Sequence, residues 1–242
     1  MIDLHCHLLP GVDDGARDMD EALALAKLAV EQGITHSVLT PHIHLRHYPN
    51  TLESLTPHYQ NFKRTLRERG IPLHIALGAE VRMAPELLLG NAWKALPKLG
   101  KTPDGKPVLL LEMPYSHVPA GTDQLLRWLI GQGVQPVVAH PERNRDVIAH
   151  PTLALTLKGT GAWLQGTLSA LGGSFGEDIK RVAWELLRKD AYHYLASDAH
   201  RIDKRSTRVE HVLSLLAEQM GREVVTALTH DRPWALVASR FI

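Results

Sequence analysis

The segment Met1-Ile-Asp-Leu-His-Cys-His-Leu-Leu-Pro10 reads as a short apolar strand ending in His-x-His. Side chains alternate faces along a strand, so His5 and His7 point the same way and can grip one metal ion. Imidazole is the commonest metal ligand. The same event recurs down the chain: His7, His42, Glu80, Glu112, His140, Gln165 and Asp198 each close an apolar run. Asp198-x-His200 again places two ligand types on one face. The chain carries 15 histidines, and position along the strand separates them. His36, His74 and His193 lie at or near strand starts and are expected to be structural. His58, His117, His150, His211 and His230 carry no such signal, and His44 and His47 lie in a loop expected to border the tips.

The elements that must position these tips alternate between strand and helix. Thr35–Thr40, Leu73–Gly78, Val108–Leu111, Pro136–Ala139, Ala162–Gln165 and Tyr192–Ala196 read as further strands. Helices are expected from an Asp18 cap to about Gly33, from Thr51 to about Gly70, over Pro85–Leu96, Thr122–Gly131, Thr152–Lys158 and Glu177–Lys189, and beyond Arg205. The stretch from Lys98 to Pro107 is expected to be an exposed polar loop. Alternation of this kind implies a parallel sheet, and fully apolar strands imply helices on both faces or a closed barrel. Seven strands fit a variant (β/α) barrel better than an open sheet. In parallel α/β folds the carboxyl ends of the strands share one face, so ligands scattered in sequence meet in space.

Composition narrows the function classes. The chain has 242 residues, 44% hydrophobic and 22% charged, with a formal net charge of +1. No linker, low-complexity run or charge block divides it, so one domain over 1–242 is expected. The balanced charge offers no basic stripe for nucleic acid. No apolar segment approaches the ~20 residues that span a bilayer, and no signal peptide precedes the first strand, so no membrane insertion and a cytoplasmic location are expected. Cys6 is the single cysteine. It lies between two histidines that face the other way, and Val12 stands where a cysteine phosphatase wants its arginine. Cys6 is therefore expected to be a small core residue.

Only nitrogen and oxygen ligands are on offer at the tips, which suits Mn²⁺, Fe, Zn²⁺ or Mg²⁺. Five histidines and four acids exceed the needs of one ion, so two or three are implied. Three divalent ions against the carboxylates of Asp14, Glu80, Glu112 and Asp198 leave the site net positive, which favours a phosphoryl dianion. Clustered ions activate a water for in-line attack and hold the leaving oxygen.

At this point the residues resemble a family. Ile2-Asp-Leu-His-Cys-His7, Val12-Asp-Asp-Gly15, Thr40-Pro-His42, Gly78-Ala-Glu80, Leu111-Glu112, Ala139-His-Pro-Glu-Arg143, Gln165 with Leu171 and Gly173-x-Phe-Gly176, and Ala196-Ser-Asp-Ala-His200 run in order over about residues 1–205. The set resembles the polymerase and histidinol phosphatase (PHP) superfamily of metal-dependent phosphoesterases. Within it, the chain is similar to bacterial tyrosine phosphatases of the CpsB/CapC type, associated with capsule and exopolysaccharide export. The resemblance implies a distorted (β/α)₇ barrel, TIM-like, with the active site at the carboxyl ends of the strands. It implies two to three divalent ions, Mn²⁺ foremost. One would take His5, His7, Glu80 and Asp198; a second would share Glu80 and add Glu112 and His140; a third would take Asp14, His42 and His200. Arg143 and Arg205 match arginines that contact the phosphoryl group. The loop Ile43–Tyr48 departs from the family pattern but keeps Tyr48, and Arg46 is placed to add a phosphate contact.

The expectation is a protein-tyrosine phosphatase acting on the phosphotyrosine tail of a bacterial tyrosine autokinase that controls polysaccharide synthesis. The alternatives are a small-molecule phosphomonoesterase of the histidinol phosphatase kind and a non-catalytic, metal-stabilised partner of the export machinery.

Overall fold

Apolar runs bounded by turn residues become parallel strands, and the amphipathic runs between them become helices. The structure, a computed structural model, describes residues 1–241. The strands are β1 (Ile2–Cys6), β2 (His36–Leu39), β3 (His42–Ile43), β4 (His74–Leu77), β5 (Glu80–Arg82), β6 (Val108–Glu112), β7 (Gln135–Ala139), β8 (Trp163–Thr167) and β9 (Tyr194–Ala196). The helices are α1 (Met19–Glu31), α2 (Leu52–Glu68), α3 (Pro85–Leu88), α4 (Thr122–Gly131), α5 (Arg145–Ala149), α6 (Thr152–Lys158), α7 (Leu168–Leu171), α8 (Glu177–Arg188), α9 (Glu210–Met220), α10 (Arg222–Thr226) and α11 (Arg232–Val237). No helix among the described residues is long and apolar enough to cross a membrane.

All strand pairs are parallel, in two sheets ordered β1-β2-β4 and β3-β5-β6-β7-β8-β9. The second and third expected strands are each interrupted, which turns seven apolar runs into nine strands. Pro41 has no N–H to give to a ladder, so pairing stops at Leu39. The register Leu39–Leu77 nevertheless resumes unshifted as His42–Glu80. At the other margin a single bridge pairs Cys6 with Ala199, beside β9. His7 N–H donates to Ala199 O at 2.7 Å and Asp198 N–H donates to His5 O at 2.8 Å.

One apolar cluster lies between strands and helices; it includes Cys6, Leu39, Leu111 and Val138 with Leu25, Leu126 and Leu186. The opposite strand faces contribute Leu4, Val38, Leu110, Val137 and Tyr194 to a second cluster, which Leu236 and Val237 of α11 close. Both layers are fully buried over most of their residues. Burial on both faces is the reason the strands read as continuous apolar runs.

Local signals behave as their chemistry requires. The Asp18 carboxylate caps α1 by accepting from Glu21 N–H, and Thr51 and Ser54 form a reciprocal capping box on α2. Two expectations need correction. The helix expected over Pro85–Leu96 is only one turn, Pro85–Leu88, followed by a 3₁₀ turn at Ala92–Ala95. Gly90, with φ +62°, and Asn91 break it. The loop expected to be exposed from Lys98 to Pro107 is partly buried, at Leu99, Gly100 and Thr102. A Cβ on Gly100 would stand 2.0 Å from Leu236 O, so α11 packs directly on that backbone.

Candidate metal centre

Strand β1 carries an irregularity between Asp3 and Cys6, where its pairing with β2 slips by one residue. A bulge of this kind re-aims side chains. Leu4 joins the buried strand-face cluster, Cys6 turns to the helix side, and His5 and His7 converge. Their Nε2 atoms face each other at 3.2 Å. Glu80 Oε2 lies 3.2 Å from His5 Nε2 and 3.3 Å from His7 Nε2. Asp198 Oδ1 lies 3.3 and 3.6 Å from the same two atoms. Among the described residues, Glu80 Oε2 and Asp198 Oδ1 are fully buried with no hydrogen-bond donor. Buried carboxylate oxygens without a partner are costly. Two orphaned oxygens and two imidazole nitrogens aimed at one point fit a divalent cation.

The remaining expected ligands surround this point. His42 Nδ1 stands 3.1 Å from Glu80 Oε2, and its Nε2 stands 3.4 Å from Asp14 Oδ1. His200 Nε2 is 3.7 Å from Asp14 Oδ1, and its ring centroid is 3.9 Å from that of His7. His140 Nε2 is 2.9 Å from Glu80 Oε1. The ligand-type atoms form four overlapping groups: His7, Asp14, His42 and His200; His5, His7 and Glu80; His5, His140 and Asp198; and His42, Glu80 and Glu112. All nine residues therefore meet at the strand tips. The groups overlap: His5, His7, His42 and Glu80 each belong to more than one, Glu112 lies with His42 and Glu80, and His140 lies with His5 and Asp198. Asp14 stands at the rim, half exposed, while the others are buried or nearly so.

Several supporting contacts are visible only in the fold. Asp13 accepts from His7 Nδ1 at 2.8 Å and from the backbone N–H groups of Gly15 and His42 at 2.9 Å. It thereby fixes which His7 nitrogen faces the cage. Gly15 permits that turn, since a Cβ there would lie 2.0 Å from His7 O. Gln165 Oε1, 2.8 Å from His5 Nδ1, does the same for His5. Outer hydrogen bonds of this kind orient metal-binding imidazoles. Arg82 donates to Glu112 Oε2 at 3.0 Å and to Met113 O at 3.3 Å. Asp3, fully buried, accepts from Ser197 N–H at 3.0 Å and from its hydroxyl at 2.6 Å, bracing the turn that presents Asp198.

Arg143 and Arg205 meet at a single oxygen. Arg143 Nη1 donates to Asp198 Oδ2 at 2.7 Å, and Arg205 Nη2 donates to the same atom. Asp198 thus turns one oxygen to the cage and the other to both guanidinium groups. The Arg143 guanidinium lies between two rings, 4.7 Å from Tyr115 and 4.5 Å from Phe175. Among the described residues, four that are not glycine adopt left-handed backbone, and three belong here: His140, Asp198 and Arg205. Such conformations persist only where surrounding structure over-determines them.

Charge follows geometry. Burial pushes the Asp198 carboxyl up, but Arg205, His5, His200 and Arg143 together hold it well below the usual range. Burial likewise opposes Glu80, yet the charges of His5 and His42 and the hydrogen bond from His140 to its other oxygen hold it well below. Burial and the neighbouring Glu80 charge raise Glu112. Two adjacent carboxylates that strain against each other are what a cation relieves.

Cys6 is buried with its thiol toward Val38 O at 3.6 Å, and burial pushes that thiol well up. It has no part in the site. Arg46 lies exposed on the 43–48 loop, where its backbone N–H donates to His44 Nδ1. Asn50 ties the loop down by donating to Val12 O and His42 O at 2.9 Å. His44 and His47 pack edge-on against each other at 4.6 Å and pair with no carboxylate of the cage.

Comparison with known proteins gives a consistent result. The family model described as capsular polysaccharide synthesis, CpsB/CapC, matches residues 1–238. The chain is 36% identical over 231 residues to the tyrosine-protein phosphatase YwqE of Bacillus subtilis, covering 96% of this chain and 89% of that one. It is 25% identical over 247 residues to the tyrosine-protein phosphatase CpsB of Streptococcus pneumoniae, with both chains fully covered. A crystal structure from work on these two enzymes, described there as unique metal-dependent tyrosine phosphatases, matches with a TM-score of 0.89 at 34% identity. It covers 98% of this chain and 94% of that one.

Proposed function

The chain belongs to the CpsB/CapC family, and on that premise we propose that it is a metal-dependent protein-tyrosine phosphatase, a phosphoric monoester hydrolase. The observation that carries the reading is the pair of orphaned buried oxygens, Glu80 Oε2 and Asp198 Oδ1, facing His5 and His7 beside two arginines. His5, His7, Glu80 and Asp198 would hold one divalent ion; Glu80, Glu112 and His140 a second; Asp14, His42 and His200 a third. The clustered nitrogen and oxygen donors support a divalent metal, and we take two to three ions, Mn²⁺ foremost, as the complement. When bound, they supply an activated water and neutralise charge on the phosphoryl oxygens.

The protein's own residues do the rest. Arg143 and Arg205 receive the phosphoryl group, since a guanidinium pairs with two of its oxygens at once. Asp198 holds both in place through one oxygen, so the clamp and the cage move as a unit. Burial works against the Arg143 charge, but Asp198 beside it keeps the guanidinium firmly protonated. Asp13 and Gln165 keep the ring nitrogens of His7 and His5 aimed at the cage. As a fold, we take the nine strand segments to form one distorted (β/α)₇ barrel. The unshifted register across Pro41 and the Cys6–Ala199 bridge support this. The single domain would span 1–242.

The natural substrate on this reading is a phosphotyrosine tail of a bacterial tyrosine kinase that governs capsular or exopolysaccharide synthesis, met in the cytoplasm. The similarity to YwqE and CpsB supports a phosphotyrosyl protein. Purified protein with Mn²⁺ is expected to release phosphate from phosphotyrosyl peptides and to lose that activity on chelation. Unchanged turnover after chelation, or full activity in His140→Ala, would overturn the reading.

A further inference from the structure

At the mouth of the site two tyrosines lie nearly parallel to cage histidines. Tyr48 stacks on His42 with centroids 5.6 Å apart at 11°, and Tyr115 stacks on His140 at 6.0 Å and 24°. Tyr115 differs from Tyr48 in two respects. Its ring also covers the Arg143 guanidinium at 4.7 Å, and it stays 42% exposed. An exposed aromatic ring is usually mobile, yet this one rides on a pinned loop. Arg145 N–H donates to Tyr115 O at 2.8 Å, and the Asn144 amide donates to Pro114 O and His117 O at 2.7 and 2.8 Å. Val118 N–H donates to Asp146 Oδ2 at 2.9 Å. The loop that carries Tyr115 is thus fastened to the turn that carries His140 and Arg143.

On the phosphatase reading, a phosphoryl group held by Arg143 would sit at the foot of this ring, and its ester substituent would extend toward solvent alongside the exposed flank of Tyr115. We propose that Tyr115 is the specificity-determining residue of the site, packing against the aryl ring of the phosphotyrosine and so selecting aryl over alkyl phosphates. The inference rests on the phosphatase reading and names the feature of the substrate that this site measures. Aromatic pairs favour offset-stacked or edge-to-face contact, either of which a fixed, partly exposed ring offers. A fixed ring also spares the ordering cost that a mobile one would incur. The contact uses the ring and not the hydroxyl.

The test reads binding separately from turnover. The Mn²⁺-loaded full chain is titrated by calorimetry with phenylphosphonate and with methylphosphonate, which share the anionic head and are not hydrolysed. Tyr115→Ala is expected to raise the Kd for phenylphosphonate about 3- to 10-fold and to leave that for methylphosphonate within about 2-fold. Tyr115→Phe is expected to bind both like the wild type. Equal weakening of both ligands by Tyr115→Ala, or no weakening of either, overturns the inference. Phosphotyrosyl peptide turnover is measured alongside. Wild-type protein that discriminates through Tyr115 but hydrolyses no ester supports the ring contact and overturns the phosphatase reading instead.

Discussion

The two ends of the parallel strands treat the same residue type in opposite ways. At the carboxyl end, His5, His7, His42, His140 and His200 crowd against Glu80, Asp198 and Asp14. At the amino end, His36 and His74 stack on each other at 4.7 Å, and Trp234 and Phe241 meet His36 edge-on. His193 lies flat on Trp163 at 3.7 Å. Burial and neighbouring cations favour the neutral ring of His36 and of His193, and His193 is lowered to about 4. An imidazole faces carboxylates at one end and is an aromatic filler at the other. What differs is the set of buried carboxylates facing it.

The largest expected effect of breaking this contrast lies at the cage. His140→Ala or Asp198→Asn should lower kcat/KM on a phosphotyrosyl peptide by at least about 10²-fold, whereas His36→Phe should stay within about 2-fold. A cage variant that behaves like His36→Phe would erase the distinction. Next comes the clamp. Arg143→Lys keeps the charge but loses the planar fork, and a loss of about 10²-fold in kcat is expected, with unchanged metal content. Asp13→Asn should weaken Mn²⁺ binding about 10- to 100-fold, measured by titration, because the amide no longer enforces the same His7 tautomer.

The smallest effect on activity belongs to the amino end, where the consequence is stability. His193 has a folded pKa of about 4 against an ordinary 6.5, set first by burial and then by Arg232 and Lys158. Below pH 6.5 the unfolded chain takes up the proton before the folded one. The His193 contribution is therefore complete above pH 6.5 and is lost as the pH falls toward 4, up to about 3 kcal/mol. Denaturant unfolding of His193→Phe across this window should show a shallower fall in stability than the wild type. An unchanged slope would mean that the ring is not held neutral.

Much of this contrast is legible in the sequence, for a physical reason. In a parallel sheet buried on both faces, a polar residue at the end of an apolar run has few places to go. His7, His42, Glu80, Glu112, His140 and Asp198 therefore stood out at the tips, and His36, His74 and His193 at the starts. What stayed hidden depends on contacts between distant segments. Asp13 sits beside Asp14 in one turn, and only the fold decides that Asp13 faces His7 while Asp14 faces His42 and His200. Gln165 was visible as a tip but not as the partner of His5 Nδ1. Arg82 follows Glu80 by two residues and gave no sign of its bond to Glu112. The break near Gly90-Asn91 rests on a left-handed glycine inside a segment whose apolar spacing is otherwise helical. The burial of Leu99 and Gly100 was not legible, because it depends on α11 arriving from the other end of the chain.

The central claim is that the carboxylates and imidazoles at the strand tips form a cage for divalent ions. The most direct test is to strip the protein with chelator and count the ions that return on titration with Mn²⁺. Two to three ions per chain are expected, with the count or affinity falling sharply in Glu80→Gln and unchanged in His36→Phe. Wild-type protein that takes up no ion, or Glu80→Gln that takes up the full complement with unaltered affinity, would contradict it.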